Sequence, residues 1–193
     1  LPLLTTADSW LGKPMAPAGD VRALILRYLS AFGPASVRDA QSWSGLPALA
    51  DVFERLRKLL RTFPSEKGTE LFDLPDAPRP RDAVPAPVRL LGEFDNILLS
   101  HADRSRIVDD DHRRRIGTLN GMVPGTILVD GRVAGIWKIE RKARSSAALR
   151  IYAFKPLAPA AKHEATEEGH ALLQFMCEGA ERRDVRFSPL RSL

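Results

Sequence analysis

Apolar residues first recur at helical spacing from Val21. Val21, Leu24, Ile25, Tyr28, Leu29 and Phe32 fall at i, i+3, i+4, i+7, i+8 and i+11, one face of a helix about three turns long. Gly33-Pro34 stops it. Ser36, with Asp39 three positions on, is a capping signature for a second helix that carries Val37, Ala40 and Trp43 inward and is closed by Gly45 and Pro47. A third stripe, Leu49, Val52, Phe53, Leu56, Leu59, Leu60 and Phe63, predicts a third helix whose other face holds Arg55, Arg57, Lys58 and Arg61. The segments from Leu60 to Phe63 and from Glu70 to Asp73 then flank Ser65-Glu66-Lys67-Gly68, a polar loop with a glycine suited to a hairpin.

Three helices closed by a β-hairpin make a winged helix over residues 20–74, and a basic third helix is a DNA-reading arrangement. The same module also serves scaffolding and protein contacts, so both readings stand at this point. Residues 1–19 form an entry segment with a helical turn around Trp10-Leu11, followed by Pro14 and Pro17. Pro75, Pro78, Pro80, Pro85 and Pro87 are too dense for helix or central strand, so residues 75–87 are a proline-rich linker.

Residues 88–193 read as a β-rich part with a C-terminal helix. A short strand from Val88 to Leu91 leads to a helical turn, Asn96 to Ser100, capped by Asp95. From Thr126 the signal is β: Ile127-Leu128-Val129, the type I′ turn pair Asp130-Gly131, a strand from Arg132 to Arg141 with Val133, Trp137 and Ile139 on one side, the turn Arg144-Ser145-Ser146, and a strand from Leu149 to Lys155. Residues His163 to Glu178 form a helix with Ala165, Gly169, Leu172, Leu173, Met176 and Cys177 on its apolar face, and Asp184 to Phe187 adds a last strand. The fold class is α+β: a winged helix followed by a mainly antiparallel β domain with a packed C-terminal helix.

With 193 residues and 44% hydrophobic content the chain builds a proper core in one or two domains. Lys and Arg total 29 against 24 Asp and Glu, a net charge of +5 that mildly favours polyanionic partners. The single cysteine, Cys177, lies in an apolar helical pattern, which excludes a disulfide framework and suits a reducing cytoplasm. No run approaches the roughly 18 apolar residues of a membrane span, so no membrane partner is expected. The start at Leu1 rather than methionine leads us to expect a piece of a longer protein.

Candidate chemistry is concentrated between Asp103 and Arg115. Asp109-Asp110-Asp111-His112 has metal-ligand residue types, but consecutive residues rarely converge on one ion and Arg113-Arg114-Arg115 oppose a cation. A helix start, with acids at the first turn and arginines later, is the better reading, and no metal is expected. Arg104 either forms a structural ion pair with Asp95 or Asp103 or presents its guanidinium to phosphate. His101 is an acid or base by residue type only. Arg132, Lys138, Glu140, Arg141, Lys142, Arg144 and Arg150 either line a positive surface or form the wet side of a half-buried sheet. No phosphate loop, nucleophile elbow or zincin pair occurs.

Several of these runs carry a resemblance. Arg27-Tyr28-Leu29, Ala31-Phe32-Gly33-Pro34-Ala35, Trp43-Ser44-Gly45-Leu46, the segment Leu91-Gly92-Glu93-Phe94-Asp95-Asn96-Ile97-Leu98-Leu99, and Asp103-Arg104 together resemble a bacterial winged-helix DNA-binding family. Asp130-Gly131-Arg132-Val133-Ala134-Gly135 and Glu140-Arg141-Lys142-Ala143 resemble its β-region in the same order. That family includes DNA glycosylases that unhook interstrand crosslinks and excise bulky alkylated purines. The resemblance implies tandem winged helices around a barrel-like β domain, duplex DNA in a concave basic channel, and no cofactor. It also implies a Gln-x-Gln or Gln-x-Asp motif that positions the attacking water. Neither Gln41 nor Gln174 is followed two positions on by Gln or Asp, so no catalytic residue carries over. The chain resembles the C-terminal half of the family, which places the first winged helix and the hydrolytic motif upstream.

The expectation is therefore a monomeric binder of double-stranded DNA, cytoplasmic and nucleoid-associated. Arg55, Lys58, Arg61 and Lys67 would contact phosphates from the third helix and wing, and Arg104, Arg106, Arg113 and Arg114 from the second part. The alternatives are a non-catalytic winged-helix regulator or architectural binder, and a protein-interaction module without DNA affinity.

Overall fold

The computed structural model describes residues 4–14, 19–80, 84–116, 121–142 and 146–189; the expectations on Leu1, Pro17, Arg144 and Ser145 fall outside them. The chain divides into two compact units, Leu1–Pro78 and Arg79–Leu193.

In the first unit a short α1 (Ala7–Leu11) leaves Trp10 and Leu11 exposed. Helix α2 (Val21–Phe32) starts at Asp20, whose side chain accepts the Arg22 N–H, and buries Ile25, Tyr28 and Leu29. Ser36 caps α3 (Val37–Ser44) through a complete capping box: its hydroxyl accepts the Asp39 N–H, and the Asp39 carboxylate accepts the Ser36 N–H at 2.8 Å. Such a box satisfies two amides that the first helical turn leaves without partners. Helix α4 (Ala50–Leu56) is shorter than the apolar stripe predicts. A single 3-10 turn, Arg57–Leu59, follows, and Phe63 lies on strand β1 (Arg61–Pro64) rather than on the helix.

The helix ends early because tertiary pairing outweighs the helical pattern. Thr62 and Phe63 favour extended backbone, and Pro64 ends any helix. Strand β1 pairs antiparallel with β2 (Glu70–Asp73) in the register Arg61 to Asp73 and Pro64 to Glu70. The Phe53 ring packs 4.9 Å from Phe72 of β2, fixing the hairpin against α4. Ala35 adds a further rung, exchanging backbone hydrogen bonds with Phe72 at 2.9 and 2.8 Å. Ile25, Tyr28, Leu29, Ala40, Phe53, Leu56 and Phe72 form the core beneath these elements.

The second unit is a five-stranded sheet: β3 (Arg89–Leu91), β4 (Gly125–Val129), β5 (Arg132–Lys142), β6 (Ser146–Ala153) and β7 (Arg182–Pro189) follow one another side by side. Pairing is antiparallel as far as β6, and β7 runs parallel to β6 after the crossover helix α7 (Pro159–Met176). The barrel-like expectation is corrected: no pairing joins β3 to β7 among the described residues, and the sheet is open. A parallel last strand requires a crossover connection, and a helix lying across one face supplies it.

Asp130 and Gly131, at φ 50° and 73°, make the two-residue turn between β4 and β5. The register then shifts between Ile127, opposite Gly135, and Leu128, opposite Val133. One extra residue in β5 reverses which face each side chain meets. Val133 therefore packs with Leu128 and Ile136, whereas Trp137 and Ile139 belong to the core on the other face, which corrects the expectation that all three share one side. Helix α7 covers that other face with Ala165, Leu173 and Cys177 against Val88, Ile127, Leu149 and Ile151. Met176, expected inside, is 46% exposed at the end of the helix. The Val133 face is covered by α5 (Asn96–Leu99), capped by Asp95 as expected, and α6 (Asp110–Ile116), through Leu98, Val108 and Ile116.

Gly169 sets how closely α7 approaches the sheet. A Cβ there would lie 2.8 Å from a Leu149 methyl and 2.9 Å from a Val185 methyl. Gly169→Val is expected to destabilise the protein by about 1–3 kcal/mol, as overpacking does. Equilibrium denaturation checks this, and an unchanged midpoint would show that the contact yields freely.

Candidate nucleic-acid interface

The expected cations of the first unit divide by partner. Arg55 on α4 and Lys58 on the 3-10 turn are exposed, Arg61 lies on β1 rather than on the third helix with its guanidinium 5.6 Å from the Phe63 ring, and Lys67 is exposed in the hairpin turn. Arg57 is committed elsewhere: it donates to Glu70 at 2.7 Å and to Glu54 at 2.6 Å, and its guanidinium lies 5.2 Å from the Phe72 ring. Hydrogen bonds to Glu70 and then Glu54 raise its pKa, and the same bonds hold both carboxyls below the ordinary glutamate value.

In the second unit, Arg104 and Arg113 line one cleft of ≈ 280 Å³, floored by Leu98, Leu99, Val108, Ile116 and Val123. The sequence left Arg104 between an ion pair with Asp95 or Asp103 and a free guanidinium. Its hydrogen bond runs from Nε to the His101 carbonyl at 3.1 Å, and no carboxylate among the described residues pairs with it. Burial first, and then the charge of Arg113, push its pKa below the usual arginine value. Among the described residues, the carboxylate beside Arg113 is that of Asp110, at 4.0 Å. Two guanidinium groups facing one cleft, one of them with no counter-ion among the described residues, form a site for an anion with planar oxygens. His101 is buried, its Nδ1 2.9 Å from the Ser100 hydroxyl.

Strand β5 ties down the turn that follows Arg104. Arg132 donates to the carbonyls of Arg106 and Ser105 at 3.0 and 3.2 Å and pairs with Asp109, while the Val133 N–H reaches the Ile107 carbonyl at 2.8 Å. Arg106 is exposed at this turn, and Arg114 on α6 bonds Asp111 at 2.5 Å. The acids of the 109–111 run are thus engaged by Arg132, Arg113 and Arg114, and His112 stacks on Phe154 with centroids 4.5 Å apart. No group of three or more metal-capable side chains converges among the described residues.

The other strand cations are largely occupied. Arg141 reaches Cys177 Sγ and the Met176 carbonyl, both at 3.3 Å, and Arg183 reaches the Cys177 carbonyl at 3.1 Å. Both place positive charge where the α7 carbonyls lack partners. Arg150 pairs with Glu140 at 2.8 Å, and Arg186 with Asp184 at 2.7 Å. Sequence reasoning missed Arg182 and Arg186, which line a polar cleft of ≈ 550 Å³ with Glu140 and Asp184. The alternation Arg182, Asp184, Arg186 was the available signal, since it puts all three on one strand face.

One unit is thus a set of helices closed by a hairpin and the other a mixed five-stranded sheet with helices, and each carries exposed cations. The chain belongs to the AlkZ-like DNA glycosylases: the family described as "DNA glycosylase AlkZ-like" matches residues 1–175. The chain is similar to an interstrand DNA cross-link repair glycosylase of Streptomyces sahachiroi, 30% identical over 149 residues that make up 72% of this chain and 39% of that protein. In fold it is similar to the solved structure of S. sahachiroi DNA glycosylase AlkZ, with a TM-score of 0.72 and 23% identity, covering 94% of this chain and 50% of that one. The chain spans half or less of the length of these relatives.

The Arg57 pairs give an expected acid response. A carboxyl whose folded pKa is lowered adds stability above its unfolded value, about 4.3, and that stability is lost as the pH falls through the folded value. Urea midpoints measured from about pH 6 down to about pH 3 should therefore fall less steeply in Glu70→Gln than in the parent protein. Parallel falls would mean that the pair contributes nothing.

Proposed function

We propose that this chain is the DNA-holding part of a DNA glycosylase relative that acts on alkylated or crosslinked purines. The observation that carries this is the Arg104–Arg113 cleft, where a partly buried guanidinium with no carboxylate partner among the described residues faces a second one. In a family of DNA-repair glycosylases, a phosphate is the anion that fits. Arg106, on the turn held by Arg132, and Arg114, on α6, would add further phosphate contacts from the same unit. In the first unit, α2, the Ala35 rung, α3, α4 and the hairpin follow the order of a winged helix, with Arg55, Lys58, Arg61 and Lys67 on its last helix and wing meeting further phosphates. The Gln-x-Gln or Gln-x-Asp pattern does not occur in the sequence, and no residue of the chain is assigned the hydrolytic step.

The test is binding of the full chain to a fluorescent random-sequence duplex across a salt titration. Affinity should fall with salt by a log–log slope of about −0.9 per neutralised phosphate. Arg104→Ala with Arg113→Ala should flatten the slope by about 0.9 if the two share one phosphate and about 1.8 if each holds its own. Arg150→Ala, removing a guanidinium already paired with Glu140, should change it little. An unchanged slope in the double variant would count against the cleft. No duplex binding at low salt would overturn the DNA reading.

A further inference from the structure

Phe94 is held in a conformation that an aromatic residue rarely adopts, at φ 55°, and it is 46% exposed. Both features cost stability: a bulky side chain strains the left-handed region, and an exposed ring forgoes burial. The backbone fixes it there. The Phe94 N–H donates to the Val123 carbonyl at 3.2 Å, and the next residue, Asp95, accepts the Ile97 N–H at 2.9 Å to start α5. Val123 lines the Arg104–Arg113 cleft, as do Leu98 four residues after Phe94 and Met122, which is 48% exposed. An exposed thioether therefore lines an apolar cleft that carries two guanidinium groups, and the backbone of Phe94 is bonded to Val123 of that lining.

We infer that this cleft receives a single unstacked nucleotide of the bound DNA, its phosphate shared by Arg104 and Arg113 and its base laid against the Phe94 ring. The inference rests on the DNA reading above and adds to it the state of the nucleotide. Three features support it. The lining offers apolar contact and guanidinium groups and is small, ≈ 280 Å³ against roughly 300–1,000 Å³ for ordinary ligand pockets, which suits one nucleotide and excludes a long segment. Charge complementarity fixes the phosphate end. Stacking on a ring is indifferent to base identity, because every base has a π face.

The experiment compares two fluorescent duplexes of the same length and sequence, one fully paired and one with a single-nucleotide bulge, bound by the full chain and by Phe94→Ala, Phe94→Leu and Phe94→Tyr. The unmodified chain should prefer the bulged duplex by about fivefold or more, the low end of what one base–aromatic stack contributes. Phe94→Ala and Phe94→Leu should lose the preference while still binding paired duplex, and Phe94→Tyr should keep it. Phe94→Ala should still melt cooperatively, because about half of the ring is already exposed. Equal binding of the two duplexes by the unmodified chain, or an equal loss on both with Phe94→Ala, overturns the inference and leaves the DNA reading intact. Absence of binding to either duplex at low salt overturns the DNA reading, and the inference with it.

Discussion

The register shift between β4 and β5 is the constraint on which the second unit depends. Without the extra residue in β5, Val133 would face α7 with Trp137 and Ile139, and the opposite face would lose part of the core that seats α5 and α6. With it, Val133 and Ile136 join Leu128 beneath those helices. The same end of β5 ties down the turn that leads out of the Arg104 segment, through the Val133 N–H and the Arg132 guanidinium. The strand that carries this backbone irregularity thus also anchors the turn that follows Arg104.

Partner assignment then separates cations that hold the fold from cations that face outward. Arg57, Arg132, Arg141, Arg150 and Arg183 are each bound to carboxylates, carbonyls or sulfur of their own unit. Exposed pairs of this kind contribute modestly to stability, and their larger effect is to withdraw charge from any external anion. Arg104 stands apart because it is partly buried, bonded to one carbonyl and placed near another positive charge. A net charge of +5 did not identify it; the pattern of local neutralisation does.

Features set by neighbouring residues were legible in the sequence. The Ser36–Asp39 capping box, the Asp95 cap, the Asp130-Gly131 turn and the buried stripe of α2 follow from short-range chemistry and appear where the pattern puts them. Features set across the fold were not. The apolar stripe of α4 runs on through Leu59 and Leu60, and only pairing of β1 with β2 ends the helix at Leu56. The alternation Val133, Gly135, Trp137 is unbroken in the sequence, so nothing in it marks the bulge. Arg61 fell both beside the helical stripe and in the segment expected to flank the hairpin, and the strand pairing places it on the hairpin. Among the site candidates, Arg104 and Arg113 are brought to one cleft, a convergence that their spacing of nine residues left open.

If the Arg104–Arg113 cleft holds a DNA phosphate, both guanidinium groups sense the duplex directly. The most direct measurement of this is the side-chain Nε–H resonances of ¹⁵N-arginine-labelled protein, assigned by single substitutions and followed as duplex DNA is added. The Arg104 and Arg113 resonances should shift and saturate together, while those of Arg141 and Arg150, bonded within the fold, stay in place. Shifts at Arg141 and Arg150 with none at Arg104 and Arg113 would contradict phosphate binding in the cleft.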